Sequence, residues 1–160
     1  MYPTVNDLSE KTRAEIVRLL NARLADAIDL QTQAKQAHWN VKGPNFIALH
    51  KLFDEVVEAV EDYVDEIAER AVELGGTVEG TARSVAKRST LSEYPLQIST
   101  GKEHVAALTA VLGSFGKNVR AAIAEADRIG DADTTDLFTQ ISRGVDKWLW
   151  FVEAHSQAIA

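Results

Sequence analysis

Proline is confined to Pro3, Pro44 and Pro95, and no glycine interrupts the stretch between the first two until Gly43. Proline deletes a backbone donor and clashes with the preceding turn, so its absence over long runs permits unusually long helices. The apolar residues follow that permission. Asp7 and Glu10 have capping-box spacing, and Ile16, Leu20, Leu24, Ala27 and Ile28 then recur at helical intervals. This predicts a first helix over about residues 8 to 40, stopped by Gly43-Pro44. A second stripe, Phe46, Leu49, Phe53, Val56, Val60, Val64 and Ile67, runs unbroken to Gly75-Gly76, where glycine suits a helix end.

The segment from Thr77 to Ser99 is too long for a hairpin turn and reads as a crossover, with a short helix of its own over Ala82 to Arg88. Thr100 and Glu103 repeat the capping-box spacing and open a third long helix that runs to about Arg128, before Gly130. Asp133 or Thr134 is expected to cap a fourth, burying Leu137, Ile141, Val145, Trp148 and Val152. The whole pattern is all-α, one domain over residues 1–160. It is a four-helix bundle with a long crossover containing a short helix, the ferritin-like arrangement.

Composition narrows the chemistry. The chain has no cysteine, which excludes disulfides and thiolate-ligated metals and leaves histidine and carboxylate as the ligands on offer. No run of 18 apolar residues and no leader with a cleavage site is visible, so neither a membrane span nor export is expected, and the location expected is the cytoplasm. A net charge of −7 disfavours nonspecific binding to nucleic acid, which draws its energy from lysine and arginine on phosphates.

The second helix carries a polar stripe. At 100° per residue His50, Asp54, Asp65 and Glu69 fall within about 100° of one another. His50 and Asp54 form one i,i+4 pair, Asp65 and Glu69 another, yet the two pairs lie about 16 Å apart along the axis, too far to share an ion. Positions 50 and 69, like 54 and 65, are symmetric about the point between Ala59 and Val60. A second copy crossing antiparallel about a dyad there would bring His50 against the other copy's Glu69 and Asp54 against its Asp65. His38, beside the hairpin turn, would add a second imidazole. Such a set suits Fe(II), and also Zn(II) or Mn(II). The same acids equally suit the solvated face of a long helix.

The run His38-Trp39-Asn40-Val41-Lys42-Gly43-Pro44-Asn45-Phe46-Ile47-Ala48-Leu49-His50-Lys51-Leu52-Phe53-Asp54 resembles the first signature of the Dps family of mini-ferritins. Tyr63 to Arg70 followed by Leu74-Gly75-Gly76 is similar to its second signature, and Asp146 to Phe151 to its last helix. The likeness covers nearly the whole chain, departing at Val78, where the family usually has proline or alanine. It implies a hollow homododecamer with ferroxidase centres at twofold interfaces. The ligands carry over as His38, His50 and Asp54 of one subunit with Asp65 and Glu69 of its partner. The implied chemistry is oxidation of Fe(II) to Fe(III), preferably by hydrogen peroxide and otherwise by oxygen, with ferric mineral stored inside and DNA thereby protected.

Trp39, beside His38, is placed either to quench radicals or simply to pack. Asp131, Asp133 and Asp136 are expected to cap the fourth helix, and the resemblance adds a role lining threefold pores. Glu58 and Glu61 flank the dyad and are expected to be hydrated. His104 and His155 have no partner pattern and are expected at the surface. A diiron enzyme with both metals inside one bundle would need Glu-x-x-His, and the residues three before the histidines are Lys35, Ile47, Gly101 and Val152. The rival function is compaction of DNA by direct contact. Residues 1 to 13 carry Asp7, Glu10, Lys11 and Arg13, no Lys or Arg follows Lys147, and Arg83, Lys87 and Arg88 form only a modest basic cluster. Direct DNA binding is disfavoured on that ground.

Overall fold

The computed structural model describes residues 1–157. Five helices follow in order: α1 (Glu10–Asn40), α2 (Phe46–Glu73), α3 (Ala82–Arg88), α4 (Gly101–Ile129) and α5 (Ala132–Glu153). There are no strands among the described residues, only an isolated pairing of Lys42 with Thr100 that fastens the α1–α2 turn to the start of α4. Helix α1 packs chiefly on α2 and α4 on α5. The two hairpins meet mainly across α1 and α4, with α3 resting on α1. No helix of the described residues is long and apolar enough to cross a membrane.

The helix ends explain the boundaries. Ser9, not Asp7, caps α1, its hydroxyl accepting from Thr12 N at 3.1 Å, so the helix starts two residues later than the acidic spacing implied. Thr100 and Glu103 form the expected reciprocal capping box on α4. Of the residues expected to cap α5, Asp131 does so and Asp133 and Thr134 do not: the Asp131 carboxylate accepts from both the backbone and the hydroxyl of Thr134. At the end of α2 Gly75 adopts φ +80°, and a side chain there would collide with the Tyr2 carbonyl, a position only glycine fills without strain.

Phe53, Phe115 and Phe138, all fully buried, centre a core to which α1, α2, α4 and α5 contribute. The expected stripe of α5 is shifted. Phe138, Ile141, Val145 and Val152 are its buried apolar residues, whereas Leu137 and Trp148 are half-buried at its edges. In α2 Phe46 is exposed and Val64 half-buried, because both sit at the margin of the stripe. The crossover is held by a charge in the interior. Asp26, fully buried, accepts from Thr90 N at 2.8 Å, from the Thr90 hydroxyl and from Asn118, and pairs with Arg23 at 3.0 Å. Buried carboxylates are tolerated when so satisfied.

Candidate metal centre

Helix α1 ends two residues beyond His38, and after a tight turn α2 starts one turn before His50, so the hairpin itself places the two imidazoles side by side. Their rings stack with centroids 3.7 Å apart and 23° between planes. Each ring is tied to the other's backbone: His38 Nδ1 lies 2.8 Å from the His50 carbonyl oxygen, and His50 Nδ1 lies 2.8 Å from that of His38. A carbonyl oxygen only accepts, so both Nδ1 atoms carry the proton. In the neutral ring Nε2 is then the free lone pair, which is how a protein prepares a histidine for a metal. Phe46, at 5.1 Å from the His50 ring, packs beside the pair.

One turn after His50, Asp54 brings a carboxylate to the same place, with Oδ1 3.7 Å from His38 Nδ1. Its closest partner is Lys35, whose ammonium donates to Oδ1 at 2.5 Å. That hydrogen bond holds the Asp54 carboxyl below its usual range, outweighing the upward push of partial burial, with the charges of His38, Lys35 and His50 acting in the same downward sense. Lys35 was not among the residues expected from sequence.

The other two expected ligands are elsewhere. Asp65 and Glu69 stand exposed further along α2, Asp65 about 16 Å along the axis from Asp54 and Glu69 about 28 Å from His50 at the helical rise. Among the described residues neither is in an ion pair. Among the described residues no group of three or more His, Asp or Glu converges well enough to hold an ion. The structure therefore unites His38, His50 and Asp54 and leaves Asp65 and Glu69 apart. Trp39 next door is 66% exposed.

Two further expectations need correcting. His104 is not at the surface but 1% exposed, its Nδ1 in a 2.6 Å hydrogen bond with the Tyr94 hydroxyl; His155 is exposed as expected. Asp131 is not a free acid available to line a pore. It is 2% exposed and gripped by Arg70, which donates to its two oxygens at 2.9 and 3.1 Å and to Thr134 Oγ1 at 3.1 Å. Burial pushes its carboxyl up, but the hydrogen bonds from Thr134 and Arg70 prevail and hold it below the ordinary value. Asp133 and Asp136 do remain exposed.

The ferritin-like domain profile matches residues 17–160 of the chain. A protein of Agrobacterium fabrum named "DNA protection during starvation protein" is 43% identical over 156 residues, 98% of this chain and 96% of that one. A protein of the same name from Mycolicibacterium smegmatis is 35% identical over 155 residues, 97% of this chain and 84% of its own length. Among solved structures, that of Mycobacterium smegmatis Dps superposes with a TM-score of 0.94 at 34% identity, covering 100% of this chain and 91% of that one.

Proposed function

Because the chain belongs to the Dps family of ferritin-like proteins, we propose that it is a ferroxidase and iron store. In this reading it oxidises Fe(II), preferably with hydrogen peroxide, keeps the ferric product inside a homododecameric cage in the cytoplasm, and so shields DNA. Each site takes His38, His50 and Asp54 from one subunit and Asp65 and Glu69 from its partner. The observation that carries the reading is the reciprocal tie between His38 and His50. It leaves both Nε2 lone pairs free in a half-site that also holds Asp54, whose Oδ1 is 3.7 Å from His38 Nδ1, and among the described residues no three such donors converge to hold an ion.

The division of labour follows from the donor set. Imidazole nitrogens suit Fe(II), while carboxylate oxygens stabilise the harder Fe(III), so a mixed site binds the reduced ion and favours its oxidation. Two Fe(II) ions give one electron each to a peroxide, which leaves as two hydroxides. Oxidation at a protein site rather than in solution keeps the oxidising products away from nucleic acid. Asp54 already has a cation on it, the Lys35 ammonium, and iron has to compete with that partner.

Direct DNA contact is the weaker reading, and the N-terminal stretch adds a reason. Tyr2 N donates to the Gly75 carbonyl at 2.7 Å. The Arg13 guanidinium is buried and donates to the carbonyls of Leu8 and Leu74, which keeps it from reaching phosphate. Arg88 pairs with Glu79.

The test is anaerobic loading with Fe(II) followed separately by oxygen and by peroxide. The wild-type protein should oxidise iron faster than buffer, and faster with peroxide. His38→Ala and Asp65→Ala should each lose that activity while staying assembled, and cages assembled from a mixture of the two variants should regain part of it, because some interfaces then hold one intact site. No recovery in the mixture would rule out a shared site, and wild-type protein no faster than buffer would rule out the ferroxidase.

A further inference from the structure

Behind the hairpin lies a pair of groups that metal binding does not use. Tyr94, on the crossover, and His104, in the first turn of α4, are joined by a 2.6 Å hydrogen bond, with rings nearly parallel at 17° and centroids 6.0 Å apart. His104 is 1% exposed and Tyr94 half-buried. The other ring nitrogen, Nε2, is buried without a partner at hydrogen-bond geometry, although the Asn40 carbonyl lies near enough to favour the protonated ring. A carbonyl only accepts, so the ring proton belongs on Nε2 and Nδ1 receives the Tyr94 hydroxyl. Asn40 is two residues from His38, under about 8 Å between Cα atoms.

We propose that Tyr94 and His104 form an internal one-electron donor that drains oxidising equivalents from the iron site, with His104 as the proton acceptor. The proposal rests on the ferroxidase reading above. One Fe(II) gives peroxide a single electron, producing Fe(III), hydroxide and a hydroxyl radical, the oxidant to be removed. Tyr94 supplies the second electron, and the radical becomes hydroxide. As the electron leaves, the phenolic O–H bond breaks and an N–H bond forms at His104 Nδ1, leaving a neutral tyrosyl radical beside an imidazolium. A second Fe(II) then returns an electron to Tyr94 as His104 hands the proton back, so the sum remains two Fe(II) oxidised per peroxide.

The environment supports this use. A phenol in a partly apolar site loses its electron readily only if its proton has somewhere to go, and a base at 2.6 Å meets the distance that proton transfer needs. Burial pushes the Tyr94 phenol far above its usual value, so it does not ionise beforehand. The same burial lowers His104, against the pull of Glu103 and Asn40, and keeps it an unprotonated base. The other tyrosines lack such a base. Tyr63 receives the indole of Trp148, which can only donate, and Tyr2 is 68% exposed.

Two experiments on the assembled protein decide it. In the first, iron-free protein is oxidised by a flash-generated one-electron oxidant, a ruthenium tris-bipyridyl complex with persulfate, and frozen for electron paramagnetic resonance. A neutral tyrosyl signal is expected, falling by about 100-fold in Tyr94→Phe and in His104→Gln and persisting in Tyr63→Phe. Circular dichroism of Tyr94→Phe, which keeps the ring, guards against mere misfolding. A tyrosyl signal unchanged in Tyr94→Phe would overturn the proposal. In the second, Fe(II) and peroxide are mixed with a spin trap, and Tyr94→Phe should release more hydroxyl-radical adduct per peroxide consumed than wild type; equal adduct would refute the draining role. Flash oxidation centred on Tyr94 in a protein that oxidises no iron would uphold the pair and overturn only the ferroxidase reading.

Discussion

The two ends of helix α2 use charged side chains in opposite ways. Near its start, His38, His50 and Asp54 are arranged with capacity to spare: each imidazole has spent one nitrogen on a carbonyl, and Asp54 is partly exposed with a single lysine on it. Near its end, Arg70, Asp131 and Thr134 exhaust one another in a buried network, with Glu73 taking a further guanidinium N–H at 3.1 Å. Unused capacity held in fixed geometry is what a ligand requires. Saturated capacity in the interior is what a joint requires, since a buried charge is tolerated only when fully partnered. Polar residues at one end should therefore affect binding with little effect on stability, and those at the other the reverse.

The largest effect expected is at the joint. Arg70→Met leaves the buried Asp131 carboxylate without its cation and should cost about 3–5 kcal/mol, lowering the melting temperature by roughly 10 °C. Because Asp131 titrates below its unfolded value in the native protein, its stabilising contribution is complete above about pH 4 and disappears as pH falls through the native value. The gap between wild type and variant, measured by denaturant unfolding, should therefore narrow in acid. A gap that widened below pH 4 would contradict this assignment.

At the other end, Asp54→Asn should weaken Co(II) binding, read from its visible spectrum, by at least about 100-fold, the upper range for losing a residue that only orients a ligand. The melting temperature should not move. If it fell as far as in Arg70→Met, the contrast between the two ends would collapse. The smallest effect sharpens the comparison: Lys35→Met removes the cation that metal must displace from Asp54, and should tighten Co(II) binding by up to about fivefold, the scale of an exposed ion pair. Weaker binding in that variant would show that Lys35 assists the metal instead of competing with it.

Much of this could be read from the residue order, for identifiable reasons. Helical period and capping spacing are local, so the four long helices, the short crossover helix and the neighbourhood of His38, His50 and Asp54 all follow from sequence separation. What escaped depended on partners far along the chain. Lys35, three residues before His38, looks like any lysine on a helix until the fold brings Asp54 to it. Asp131 has the cap spacing to Thr134, but nothing local announces Arg70. His104 did leave a signal: with Leu108, Val111 and Phe115 it lies on the apolar face of α4, and only its polarity suggested the surface.

The buried Asp26 also imposes an order in time. Its partners Thr90 and Asn118 lie 64 and 92 residues downstream, so on a ribosome adding roughly 5–20 residues per second the carboxylate waits about 5 to 20 seconds for its last hydrogen bond. Until then it must stay hydrated, and the face of α1 that carries it cannot be sealed. The nascent α1–α2 hairpin thus holds a place open for α4, because closing without it would strand a charge in the interior.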